Sequence, residues 1–190
     1  MGEEIKHEKI YPLGYEPENT PDSSDPNIRN QLIDFILKSG PSEVIDTDLF
    51  AVMAKRRSTR KFSNKPVETT KIDKIIAAAD TAPTAGNYQG FEIFYVKSTE
   101  KKKLLVDACN KQPYVNAPVV FVFCKNPSRV KLDFPEHILK KFAIQDATLA
   151  AGYSQLAAQA LGLSSIWIGM FDEQKVMDVI GTDLVPSSVL

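Results

Sequence analysis

The chain has 190 residues, of which 43% are hydrophobic and 25% charged; it can bury one sizeable core, and a formal net charge of −1 leaves no global field for nucleic acid or an anionic membrane. Its two cysteines, Cys109 and Cys124, make neither a disulfide framework nor a zinc spacing, and no apolar run reaches the length of a membrane span. A cytoplasmic protein without metal or membrane anchor is the expectation.

Residues 1–27 read as an extended arm. Pro12, Pro17, Pro21 and Pro26 interrupt any regular period, and Glu16, Glu18, Asp22 and Asp25 keep the segment solvated. Residues 28–190 read as a single domain. Ile28, Leu32, Ile33, Ile36 and Leu37 recur at helical spacing until Gly40-Pro41, and a second helix runs from Asp46 or Thr47 to Lys55. That helix delivers the run Arg56-Arg57-Ser58-Thr59-Arg60. Arginine's planar fork meets two phosphate oxygens at once, so the run suits an anionic ligand; it equally suits a helix C-terminus, whose dipole favours cations. On the run alone both readings stand.

The remaining segments alternate helices and strands. A helix over 70–81 carries Ile72, Ile75, Ile76 and Ala79 on one stripe, and Ala82 to Gly90 is a loop. Phe91 to Val96 predicts a strand, Lys101 to Ala108 a short charged helix with Lys101 to Lys103 on a solvated face. Ala117 to Cys124 has no polar alternation, which predicts a central strand covered on both faces. Ile144 to Leu161 predicts a helix rich in small residues, capped by Gly162; Ser164 to Phe171 predicts a strand, and Asp172 the N-cap of a last helix ending before Gly181.

Several chemistries find no support. GxGxxG, GxxxxGK[ST] and GxSxG patterns are missing, and His7 and His137 stand far from cysteines or paired acids. Redox chemistry carried by a bound cofactor needs no protein nucleophile, only positioning and electrostatics.

Four pieces in order, Arg56 to Phe62, Ala82 to Gln89, Ala117 to Val120, and Asp146 to Leu163 followed by Trp167-Ile168-Gly169, together resemble the FMN-dependent nitroreductase superfamily. The resemblance spans about Asp46 to Pro186. It implies an α+β fold with a central, mainly antiparallel (mixed) sheet flanked by helices, and an intertwined homodimer holding FMN at the subunit interface. By that resemblance Arg56, Arg57, Ser58 and Arg60 grip the cofactor's phosphate, ribityl chain and pyrimidine edge. Pro83, Thr84, Ala85, Asn87 and Gln89 match a loop contributed by the other subunit, and Ile168 and Gly169 match the strand end against the reactive flavin face. Gln145 and Asp146 match positions near the flavin, whereas Trp167 reads as core.

The implied activity is reduction of nitroaromatics, quinones or activated alkenes by a ping-pong hydride mechanism, with NADH or NADPH as donor and no catalytic side chain. Alternatives are a flavin-cleaving or dehalogenating member of the superfamily, or a non-catalytic flavin-binding protein. Two departures stand out. Thr84 and Ala85 replace the usual serines, and the family's final strand with its basic residue is expected to be absent or truncated. Ile10 to Tyr15 resembles that strand and its turn, so the arm is a candidate to occupy the vacant edge.

Overall fold

The computed structural model describes residues 48–190. The arm over 1–27 and the helix expected over 28–37 lie outside the described residues.

Helix α1 is Leu49–Lys55; the Asp48 carboxylate accepts from the Phe50 and Ala51 N–H groups at 2.9 and 3.4 Å and so sets the start. Helix α2 is Thr69–Asp80, and after the loop strand β1 covers Phe91–Tyr95. Helix α3, Thr99–Ala108, begins at the Ser98 hydroxyl, which accepts from Lys101 N. Strand β2 is Phe121–Lys125 and helix α4 is Glu136–Ala160. Helix α5, Glu173–Ile180, is capped by the Asp172 carboxylate and ended by Gly181, whose φ of 72° is the left-handed turn a glycine takes freely. Strand β3, Pro186–Val189, closes the series.

The sheet has the order β1-β2-β3 and is antiparallel throughout, with Phe91 opposite Lys125, Tyr95 opposite Phe121 and Val122 opposite Val189. Central β2 is covered on both faces, as its unbroken apolar run demands. Val122 and Cys124 point to a cluster with Leu105 of α3 and Val176 and Ile180 of α5. Phe121 and Phe123 point to a second cluster with Ile72, Ile75 and Ile76 of α2 and Ala147, Ala150 and Ala151 of α4. Three layers result, with α4 lying against the sheet on Ala147, Ala150 and Ala151, which are fully buried.

Three expectations need correction. Helix α4 starts at Glu136 rather than Ile144: its first turns are mostly exposed, and an ion pair between Glu136 and Lys140 at 2.7 Å supports them without an apolar stripe. Ser164 to Phe171 is not a continuous strand; it touches its neighbours at single bridges, Ser165 to Ser58 and Ile168 to Val189. Lys102 is buried rather than solvated, its ammonium donating to the Pro118 carbonyl at 2.6 Å, and burial pulls its pKa down. The last residues form β3, a four-residue strand paired antiparallel with β2.

Asp80 ends α2 near Glu92 and Arg129, which pair at 3.3 Å. Burial pushes the Asp80 carboxyl up to about 7; the Arg129 guanidinium opposes the rise and Glu92 adds to it. The folded chain therefore holds a proton that the unfolded chain releases near pH 4, and stability from this group falls as pH rises from about 4 to 7. Asp80→Asn is expected to raise Tm at pH 8 and to change it little at pH 4, measured by thermal unfolding.

Candidate functional site

The arginine run leaves α1 in extended form. Arg56 is the C-cap, its N–H donating to the Val52 carbonyl at 3.0 Å. Arg57 Nη1 donates to the carbonyls of Ala54 and Arg56, the latter at 2.8 Å, so this guanidinium serves the helix end. Ser58 bridges Ser165 in parallel, and Thr59 N–H donates to the Ser165 carbonyl at 3.0 Å. Arg57, Ser58 and Arg60 are exposed and Arg56 is half-buried. Thr59 and Lys61 line a cavity of about 410 Å³ whose walls include Phe62, Tyr114, Phe121 and Ile168. Of the expected cofactor residues only Ile168 lines it, so the rest of the candidate site lies outside this cavity.

The loop after α2 is tightly organised. Ala85–Asn87 makes one 3₁₀ turn, and Gly86, Asn87 and Gln89 take φ of 58°, 61° and 45°. For Asn87 and Gln89 such φ values cost on the order of 1–3 kcal/mol each. The Thr84 hydroxyl accepts from Gln89 N–H at 3.2 Å, and Gln89 Nε2 donates to Asn87 Oδ1 at 3.2 Å. Gln89 is buried, and its Oε1 has no hydrogen-bond partner among the described residues. Pro83 is exposed, and Thr84 and Ala85 are half-buried.

On α4, Gln145 is exposed while Asp146, 2% exposed, turns inward beneath the loop. Its Oδ1 accepts from Ala85 N–H and its Oδ2 from Gly90 N–H, both at 3.0 Å. Burial raises its pKa, and the two backbone bonds work against the rise.

Ile168 exchanges backbone bonds with Val189 at 2.8 and 3.0 Å, which fixes the strand end. Gly169 beyond it is exposed, and a Cβ there would meet only Trp167, at 3.5 Å from Nε1. Trp167 packs on the cluster of α2 and α4. The Met170 carbonyl accepts from Asn110 Nδ2 at 3.3 Å and Gln112 Nε2 at 3.2 Å. Sequence reasoning missed these two holders. Asn110 and Lys111 both have positive φ, 55° and 59°, and the Asn, tolerant of that region, was the one available cue.

One chain thus joins the arginine run to the 165–169 segment, and the Pro83 to Gln89 loop to α4. Both thiols are inert: burial pushes Cys109 up to about 11 and Cys124 to about 12. Among the described residues no His, Cys, Asp and Glu cluster is disposed for a metal, and no helix is long and apolar enough to cross a membrane.

The Nitroreductase family matches residues 53–116 and 107–190, most of the chain. The chain belongs to the nitroreductase family. Among its relatives, an FMN reductase [NAD(P)H] of Bacillus subtilis is 32% identical over 125 residues, covering 60% of this chain and 50% of the relative. An NADH dehydrogenase of Thermus thermophilus is 30% identical over 155 residues, covering 67% and 76%. The solved NADPH:FMN oxidoreductase of Vibrio harveyi, complexed with NAD+, superposes with a TM-score of 0.68 at 26% identity, covering 74% of this chain and 66% of that one. The chain spans about half the length of the flavin reductases of Bacillus subtilis and Vibrio harveyi that it matches. A helix-rich chain around a small antiparallel sheet is the α+β nitroreductase architecture.

Because nothing among the described residues crowds a Cβ at Gly169, Gly169→Ala is expected to leave the ligand-free fold within about 0.5 kcal/mol of the parent. Thermal unfolding of the two proteins checks it.

Proposed function

We propose that this nitroreductase-family chain is an NAD(P)H-dependent flavin oxidoreductase that holds FMN between two copies of itself, in the cytoplasm. The observation that carries the reading is Gln89 Oε1, a buried acceptor left without a donor among the described residues. Such a group costs about 1–3 kcal/mol until a donor arrives, and the imide N–H of a flavin's pyrimidine edge is a donor of the right kind. Asn87 beside it supplies the complementary amide.

The other residues fit the same group. Exposed Ser58 and Arg60 and half-buried Arg56 form an edge suited to the phosphate and ribityl chain, with what remains of the Arg57 fork beside them. Pro83, Thr84 and Ala85 shape the loop that presents Asn87 and Gln89, and Gln145 lies at its edge on α4. Gly169 is exposed and carries no Cβ, which lets a flat ring approach the backbone there closely. Bound there, FMN supplies hydride transfer through N5. The chain's residues bind and orient it, the arginines favour negative charge near the pyrimidine edge, and no side chain moves a proton.

A ping-pong order fits this reading: reduced nicotinamide first, then a nitroaromatic, quinone or activated alkene. A homodimer is supported by apolar side chains left exposed on two helices that pack together: Leu49, Phe50 and Met53 on α1, and Ile144, Leu149 and Tyr153 on α4. The run of one copy and the loop of the other then complete each site.

Arg56→Ala and Arg60→Ala are each expected to weaken FMN binding about 10- to 100-fold, the worth of one or two charge-assisted bonds, with Tm of the flavin-free protein unchanged. Flavin-fluorescence titration and anaerobic oxidation of NADH and NADPH test the reading. Parent protein that binds no FMN and oxidises neither nucleotide would overturn it.

A further inference from the structure

Asp146 does more than sit near the cofactor. We infer that it is a positioning residue whose buried carboxylate clamps both ends of the cofactor-facing loop, holding the Asn87 and Gln89 amides in register with the ligand; this rests on the FMN reading above. Its two oxygens divide the work. Oδ1 takes the Ala85 N–H at the entry to the 3₁₀ turn, and Oδ2 takes the Gly90 N–H just past Gln89, each at 3.0 Å. Between those anchor points the chain passes through three residues of positive φ, two of them not glycine. A backbone held in that form needs a rigid partner at both ends, and a side chain in the interior of α4 is rigid.

Gly90 shows that the clamp is built rather than incidental. A Cβ there would lie 2.7 Å from Val130 Cγ2, 2.8 Å from Asp146 Oδ2 and 3.3 Å from Ala143 Cα. Only a glycine lets the loop end come down onto the carboxylate. The side chain must also be a carboxylate: both oxygens face N–H donors, and an amide would turn its own NH₂ toward one of them. Helix α4 further carries Ile144, Leu149 and Tyr153 on its exposed side. The clamp therefore ties the loop to the helix face that meets the second copy, and so to the partner's arginine run.

The test uses the full chain with Asp146→Asn, Gly90→Ala and the double variant. Amide hydrogen exchange at Ala85 and Gly90 in the flavin-free protein reads the clamp itself. FMN titration and the visible absorbance and circular dichroism of bound flavin read its effect on the ligand. Loss of protection at both amides, about 10-fold or more weaker FMN binding in each single variant, and a double variant no weaker than the worse single support the inference, because the two changes break one contact. A folded Asp146→Asn protein with parental FMN affinity and parental flavin spectra overturns it, as does full additivity of the two changes. If the parent binds no FMN, the cofactor reading fails and this positioning role falls with it. The exchange data then show separately whether the clamp exists. Should Gly90→Ala fail to fold, Asp146→Asn alone decides.

Discussion

The fold depends on how closely α4 approaches the sheet. Ala147, Ala150 and Ala151 are fully buried where the helix crosses the Phe121 and Phe123 side of β2 and the isoleucines of α2. Small side chains allow that distance, and the aromatic and branched residues opposite fill the volume; a larger residue on the helix would overpack it at about 1–3 kcal/mol. Because the helix is pinned on its inner face, the positions of its other residues are set with it. Asp146 faces the loop, Gln145 faces solvent, and Ile144, Leu149 and Tyr153 of the outer face stay exposed.

This arrangement divides the labour of holding a ligand. The arginine run is exposed, so its bonds act in a high dielectric, and one of its guanidiniums is already engaged with the end of α1. Such an edge supplies attraction for an anion without much selectivity. The loop is the opposite case: Gln89 is buried, its amide is half-satisfied, and its backbone is strained and anchored. Buried amides with fixed orientation discriminate sharply, since the wrong ligand leaves them unpaired. On the proposed reading, charge draws FMN in and the loop recognises its ring edge.

Much of this could be read from the residues alone, for identifiable reasons. Strand β2 announced itself because Val119 to Cys124 has no polar position, which only a strand covered on both faces tolerates. Asp48, Asp172 and Gly181 act at helix ends through local bonds, and local chemistry is legible in sequence, although Asp48 lay slightly beyond the start expected for α1. The start of α4 was hidden because its first turns rest on charge and exposure rather than on an apolar stripe. Lys102 looked like one of three solvated lysines, since nothing nearby in sequence reveals that the Pro118 carbonyl waits for it. Asp146 was picked out by resemblance, but its two partners lie 61 and 56 residues away, and a bond of that kind exists only once α4 and the loop are folded together. The same holds for the grip of Asn110 and Gln112 on Met170.

The central claim is that the arginine run and the Pro83 to Gln89 loop of different copies share one FMN site. It is tested most directly by co-expressing Arg60→Ala and Asp146→Asn chains under different tags, isolating the mixed dimer and measuring its flavin content. In such a dimer one site carries both defects and the other neither, so about one tightly bound FMN per dimer is expected, with little in either parent homodimer. A mixed dimer as empty as both homodimers would contradict the account, because it would mean that run and loop serve the same chain's site.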